Sequence, residues 1–296
     1  MRQISQNYKT GCIRLENVSM PALKRGGVLV KTNYSVISLG TESMKVREGK
    51  MSLAQKAKAR PDQVKKVMRS VQQQGLSATY NKVMNKLDSL TPLGYSLSGT
   101  VVAVGDGVND LQVGQKVACA GAGYAVHAEA VFVPKNLVVP VPDGVKMSHA
   151  AFATIGAIAM QGFRQAEMQL SETACVIGLG LLGQLSVQIL KAAGMNVIGV
   201  DIDDSRNKVA VELGADYAAT PDDPGLLAAV ARLTGGRGID CSFITASGNT
   251  NAPLELSVEI ARDRGRIVDI GKTRLDLSWN DCYMKELDLR FSRAYG

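Results

Sequence analysis

The run Cys175-Val176-Ile177-Gly178-Leu179-Gly180-Leu181-Leu182-Gly183 passes from a β-branched stretch into a Gly-x-Gly-x-x-Gly turn, and residues 184–193 then have helical composition. In such a turn Gly178 permits the tight bend, Gly180 lets the backbone approach a pyrophosphate, and Gly183 lets the helix pack close to the strand. Unpaired N–H groups at the helix start, among Leu179, Leu181 and Leu182, then face the phosphates. A second β-branched run over 196–200 ends at Asp201, 23 residues beyond Gly178, near the spacing of a carboxylate that holds an adenosine ribose. A 2′-phosphate about 4 Å from that carboxylate would cost several kcal/mol, so NAD(H) is favoured over NADP(H). Arg206 and Lys208 oppose that preference, since either could reach a phosphate. Thr245 and Gly271, each just past a later strand, complete the candidate cofactor-binding set. The glycine spacing alone would fit a tight turn in any α/β protein. Strand, helix, second strand and Asp201 together make it specific.

These residues need a sheet to position them. From about residue 173 strands predicted over 174–177, 196–200, 217–219, 239–244, 266–270 and 288–292 alternate with helices, the pattern of a parallel sheet with crossover helices. The first half reads differently, as short strands over 11–17, 27–38, 95–105, 116–120 and 130–141 with glycine punctuation, which suggests a small barrel-like domain. The expected division is 1–150 and 151–296. Two amphipathic helices interrupt the first domain at about 47–91. Pro61 suits the first position of one, whose stripe is Val64, Val67, Met68 and Val71 and whose stop is Gly75. Ser77 is placed to cap the other, with Tyr80, Val83, Met84 and Leu87 on one face.

Composition narrows the function classes. Apolar residues make up 46% and charged ones 21% of 296 residues, enough to fill two cores. The net charge is +7, yet Lys45 to Thr91 holds eleven Lys/Arg against three acids, so the remainder is about neutral. That local excess suits either solvated helix faces or the attraction of an anionic ligand, and a nucleic-acid partner is not expected. No signal region or membrane span is legible, and a soluble cytoplasmic protein is expected. Five scattered cysteines without a Cys-x-x-Cys spacing and only two histidines, His127 and His149, argue for reduced thiols and against a tetrahedral metal site.

Several phrases resemble the medium-chain dehydrogenase/reductase superfamily over essentially the full length. Gly94-Tyr95-Ser96-Leu97-Ser98-Gly99-Thr100-Val101-Val102 resembles its Gly-His-Glu strand, and Val113-Gly114-Gln115-Lys116-Val117 its Gly-Asp-x-Val turn. Pro140-Val141-Pro142-Asp143-Gly144-Val145 and Glu212-Leu213-Gly214-Ala215-Asp216 are also typical. The resemblance implies an α/β chain with a GroES-like β-barrel domain, here carrying the helical hairpin, followed by a Rossmann doubly wound parallel sheet. It also implies departures. Zinc-dependent members place metal ligands where this chain has Ser38, Tyr95 and about Ile155, and residues 118–130 hold only Cys119 where a structural zinc would need four cysteines. A zinc-free enzyme is therefore expected.

The hairpin, Ser38-Leu39-Gly40-Thr41-Glu42 and Leu93-Gly94-Tyr95-Ser96 look like a narrower group: bacterial oxidoreductases fused to a Gfo/Idh/MocA domain, similar also to bacteriochlorophyllide dehydrogenases. Members of the superfamily normally continue past the sixth strand and return to the barrel, so the resemblance implies for an end at Gly296 either a fragment or a chain whose barrel is completed otherwise.

What the resemblance implies chemically is hydride transfer between a nicotinamide C4 and a carbinol or carbonyl carbon, on a sugar or nucleotide-sugar derivative for example. Without zinc a side chain must handle the proton. Tyr95 is the candidate donor or oxygen-polarising group, with Thr41 and Glu42 orienting or relaying; His127 is the alternative acid. Each has a plain structural role to set against this: a packed aromatic, a turn cap, a solvated carboxylate, a structural strand histidine. Quinone or enone reduction on the same fold, and a non-catalytic NAD-binding module, are the rival functions. The basic hairpin is expected to steer an anionic substrate or to dock a fused or partner domain, and residues 288–292 are a candidate seam for a homodimer.

Overall fold

Alternation of β-branched residues with polar ones drives the first unit of the chain. A computed structural model describes residues 1–59 and 61–296; the side chains of residues 41, 45, 53, 54, 59, 62, 63 and 86–88 lie outside that description. Two units separate, Met1–Thr154 and Ile155–Gly296.

In the first unit, β1 (Arg2–Asn7), β2 (Ile13–Asn17) and β3 (Gly27–Ser35) precede four helices: α1 (Leu39–Lys50), α2 (Leu53–Ala59), α3 (Pro61–Gln74) and α4 (Leu76–Asp88). The strands β4 (Leu90–Pro92), β5 (Ser96–Val104), β6 (Lys116–Ala120), β7 (Ala130–Pro134) and β8 (Val138–Pro140) follow, then α5 (Met147–Ala150). Five of the strands form an antiparallel half-barrel in the order β7-β3-β5-β6-β8. Register shifts between Leu29 and Val30 and between Thr32 and Tyr34 bend β3 against β5, as bulges do. Val28, Val30, Leu97, Val101, Val117 and Val133 point inward and form its core. Each such side chain contributes about 1.5–3 kcal/mol on leaving water. A separate sheet, β2-β1-β4, ties the chain start to the strand that follows the helices.

Several expectations are corrected in this unit. The helical hairpin over about 47–91 is four helices beginning at Leu39, so the strand expected over 27–38 stops at Ser35. Glu42 lies in the first turn of α1. Gly75, at φ +81°, breaks the chain direction and α4 starts at Leu76, so Ser77 caps nothing. Within the α3 stripe Val67 and Met68 are exposed, and Tyr80 of α4 is exposed as well; Leu87 lies outside the described side chains. The strand expected over 130–141 is split by a 3₁₀ turn at Lys135–Leu137.

α6 (Ala153–Ala166) runs from the end of the first unit into the second, which then alternates β9 (Thr173–Ile177), α7 (Leu181–Ala192), β10 (Asn196–Val200), α8 (Asp204–Glu212), β11 (Tyr217–Ala219), α9 (Leu226–Thr234), β12 (Ile239–Ile244), α10 (Ala252–Ile260), β13 (Ala261–Asp269), α11 (Trp279–Met284) and β14 (Asp288–Phe291). All six strands run parallel in the order β11-β10-β9-β12-β13-β14, the doubly wound arrangement. Because strand side chains alternate, one face packs Ala174, Val176, Val197 and Phe243 against Leu190 of α7. The other packs Cys175, Ile177, Ile198 and Val200 against Leu226, Val230 and Ile260. Burial on both faces explains why these strands read as continuous apolar runs. The order reverses between β9 and β12, and there the carboxyl ends of the strands open the crevice that ligands use in such sheets.

Candidate functional site

At the end of β9 the chain turns sharply at Gly178, whose φ is +98° and whose N–H donates to Val200 O at 2.7 Å. A β-carbon there would meet Ala246 N at 2.5 Å, so both the conformation and the space demand glycine. Gly183 is equally constrained, since its β-carbon would stand 2.0 Å from Gly178 O. Gly180 differs: nothing lies within 4 Å of where its β-carbon would be, and the residue is exposed. The turn thus leaves an open face at Gly180, directly before α7. No side chain caps α7, and the amides of Leu181, Leu182 and Gly183 have no intrahelical acceptor. Open space, free amides and the positive end of a helix dipole together suit a phosphate.

Asp201 at the end of β10 is drawn into the same turn. Its Oδ2 accepts from Leu179 N at 2.6 Å and its Oδ1 from Asp203 N at 3.0 Å. Asn207 clamps its backbone, donating from Nδ2 to Asp201 O and accepting from Asp201 N, both at 3.0 Å. Arg206 reaches Asp201 Oδ2 at 3.4 Å and Asp203 Oδ2 at 3.5 Å while remaining half exposed. Asp203 caps α8, and the Ser205 hydroxyl and amide hold its carboxyl below the usual range. Lys208, the other cation near Asp201 in sequence, instead pairs with Asp204 at 2.9 Å.

Thr245 and Gly271 form the floor. Thr245 Oγ1 donates to Gly178 O at 2.5 Å and to Ile177 O at 3.2 Å, which fixes the turn. Gly271 lies beneath Ala246, whose carbonyl oxygen would be 2.0 Å from an added β-carbon. The expected cofactor residues therefore come together around one crevice, with Thr245 and Gly271 shaping it from below.

The first unit holds a second constellation. His127 Nε2 lies 3.1 Å from Glu42 Oε2 and 3.3 Å from Oε1, while its Nδ1 lies 2.9 Å from Ser35 Oγ. His127 and Glu42 are only 6% and 7% exposed. Glu42 Oε1 also accepts from Ser38 N at 3.0 Å. The ring rests on the backbone before Tyr95: His127 N donates to Leu93 O at 2.8 Å, and a β-carbon on Gly94 would be 2.9 Å from Nδ1. Tyr95 is half-buried, and its hydroxyl bonds to no described residue. The Thr41 side chain lies outside the described residues. Ser35 was not among the expected site residues, and His127 stood only as an alternative acid. The signal available was a lone strand-entry histidine in a chain with two.

Ser38 engages this cluster through its backbone, and Ile155 is a buried aliphatic with no donor atom. Cys119 is buried, its thiol pushed up to about 12 by desolvation. Among the described residues no three His, Cys, Asp or Glu side chains gather as metal ligands would. None of the described helices is long and apolar enough to cross a membrane.

Known proteins match both halves. Residues 182–296 match the family described as zinc-binding dehydrogenase, and residues 63–143 match the alcohol dehydrogenase GroES-like domain. The (R,R)-butanediol dehydrogenase of Neisseria gonorrhoeae is 26% identical over 97% of this chain and 83% of its own length. The 2-dehydro-3-deoxy-L-galactonate 5-dehydrogenase of Pseudoalteromonas atlantica is 28% identical over 73% of this chain and 71% of its own. Among solved structures, the 2R,3R-butanediol dehydrogenase of Bacillus subtilis shares the fold with a TM-score of 0.77 at 21% identity, over 99% of this chain and 84% of that one. A half-barrel of the GroES type followed along the chain by a doubly wound sheet, each half matched by its own family model, is the architecture of the alcohol dehydrogenase-like oxidoreductases of the medium-chain dehydrogenase/reductase superfamily, which this chain resembles in both halves.

Proposed function

We propose that the chain is an NAD(H)-dependent dehydrogenase or reductase that works on an alcohol or carbonyl of a sugar-like substrate without catalytic zinc. The observation that carries the reading is the Asp201 carboxylate held 2.6 Å from Leu179 N, inside the glycine turn. A buried acceptor at that place offers lone pairs to ribose hydroxyls and repels a 2′-phosphate. The residues fit the dinucleotide: the Gly180 face and the Leu181 and Leu182 amides would hold the pyrophosphate, and Asp201 with Arg206 would hold the ribose. When bound, the nicotinamide supplies or accepts a hydride. The butanediol and sugar-acid dehydrogenases among the relatives support a hydroxyl-bearing substrate.

Zinc does not fit the residues present. A catalytic zinc needs three protein ligands. Ile155 offers no ligating atom, Ser38 only a neutral hydroxyl in place of a thiolate, imidazole or carboxylate, and both ring nitrogens of His127 are engaged.

Calorimetric titration with NADH and NADPH tests the cofactor assignment, with tighter binding of NADH expected. No heat from either at millimolar concentration would sink it. Substoichiometric zinc by elemental analysis and turnover unaffected by chelators are expected of the purified enzyme, and loss of activity on zinc removal would refute the metal-free part. Turnover of quinones without turnover of any alcohol or ketone would move the chain to the enone and quinone reductases of the same fold.

A further inference from the structure

We propose that Ser35, His127 and Glu42 form a proton relay, in which the Ser35 hydroxyl exchanges a proton with the substrate oxygen and the buried imidazole–carboxylate pair takes up or returns it. The inference rests on the dehydrogenase reading above and names the groups that handle its proton.

Hydrogen-bond chemistry gives the cluster a direction. An ionised Glu42 only accepts, so the Nε2 atom that faces both its oxygens must carry the hydrogen. In the neutral ring Nδ1 is then the acceptor, and the Ser35 hydroxyl 2.9 Å away must donate to it. Hydroxyl, imidazole and carboxylate therefore stand in one polarised line, the arrangement by which a hydroxyl loses its proton to a ring held in a single tautomer. Glu42 is itself fixed by Ser38 N at 3.0 Å, and the ring by the close approach of Gly94, where a side chain would collide with Nδ1. Ser35 alone of the three is not buried, so the line runs from a covered carboxylate and ring to a partly exposed residue, and the relay places the substrate oxygen at that end. Tyr95 has no such line behind it, because its hydroxyl bonds to no described residue.

The step balances without a further reactant. In oxidation the carbinol carbon gives up a hydride, with both electrons of its C–H bond, to the oxidised nicotinamide dinucleotide. The O–H bond breaks as C=O forms, its proton passes to Ser35 Oγ, and the Ser35 proton passes to His127 Nδ1. The resulting imidazolium keeps its Nε2–H on Glu42 and returns one proton to solvent through Ser35. Reduction runs the same transfers backward.

The full chain labelled with ¹⁵N-histidine tests the relay independently of turnover. Two histidines give two signal sets, and His149→Gln assigns them. His127 is expected with Nε2 protonated and Nδ1 bare; Ser35→Ala shifts the Nδ1 resonance and Ser35→Thr returns it. A protonated Nδ1 in the neutral ring, or a resonance indifferent to Ser35→Ala, overturns the proposal. In oxidation of 2,3-butanediol and a panel of sugar alcohols with NAD⁺, Ser35→Ala and His127→Gln are expected to lower kcat roughly 100-fold or more, with Ser35→Thr restoring most of it. An unchanged kcat in either variant also overturns it, and the tautomer alone decides if no panel alcohol reacts. NADH titration of the same samples separates the two readings. Variants that bind NADH normally yet turn over slowly support the relay, whereas a wild-type chain that binds no NADH defeats the dehydrogenase reading whatever the imidazole does.

Discussion

Gly183 touches Gly178: a β-carbon on the former would stand 2.0 Å from the carbonyl oxygen of the latter. Gly183→Ala is therefore expected to push α7 away from the turn, at a cost of about 1–3 kcal/mol, and to abolish NADH binding. Gly180→Ala has open space and leaves the melting temperature nearly unchanged, yet its methyl occupies the face where the pyrophosphate would pass. Thermal melts paired with NADH titrations check both, and a Gly183→Ala chain that binds NADH normally would refute the cradle.

Asp201→Asn keeps the size of the side chain and removes its charge. Hydrogen bonds to charged groups contribute about 1.5–3 kcal/mol, so NADH affinity should fall roughly 10-fold or more. Repulsion of a 2′-phosphate disappears at the same time, and the preference over NADPH narrows. Equal affinities for NADH in variant and wild type would remove Asp201 from the ribose site.

Thiol labelling reports the cores. Burial pushes Cys119 and Cys175 up to about 12 and raises Cys241 further, while Cys12 is exposed. Cys282 is partly covered, raised by that burial and by Asp281. A disulfide reagent at neutral pH should modify Cys12 quickly, Cys282 slowly, and the other three only on unfolding, because the thiolate is the reacting species. Rapid reaction of a third thiol in the native protein would contradict the packing.

Asp269 is buried at the end of β13 with Oδ1 unpartnered among the described residues, and desolvation raises its carboxyl above the ordinary value. The folded state therefore holds this proton more tightly than the unfolded one, whose carboxyl titrates near about 3.9. Stability falls as pH rises from that value through the raised one, and the penalty is complete above the raised one. Asp269→Asn should raise the melting temperature at pH 7, with the gain vanishing in strong acid. A variant less stable than wild type at pH 7 would show that the carboxylate has a favourable partner.

What could be read in advance follows from how local each feature is. β10, β11 and β12 occur at the expected residues 196–200, 217–219 and 239–244; β10 in particular is covered on both faces and is written as a short apolar run bounded by polar residues. The glycine turn and Asp201 were legible for a related reason, since their spacing along the chain is the spacing of one strand–helix–strand unit. α1 was not legible: Leu39–Lys50 carries no apolar stripe and two glycines. β1, written Arg-Gln-Ile-Ser-Gln-Asn, is a strand through its pairing with β2 and with the distant β4. The His127–Glu42–Ser35 line joins three separated elements, and no one-dimensional spacing encodes such a meeting.

The excursion that carries the four helices departs and returns at neighbouring rungs of one ladder. Ser35 pairs with Leu97, and Val36 N still donates to Ser96 O at 3.0 Å. Closing a loop whose ends are already side by side depends only on the logarithm of its length, so halving this one would change the closure term by about 0.6 kcal/mol. The half-barrel is thus almost indifferent to the bulk of its own interruption. Turns of α3 and α4 are therefore expected to tolerate trimming or grafting without unseating a strand, whereas α1 brings Glu42 to His127 and Lys56 of α2 donates to Tyr8 O and Lys9 O beside β1.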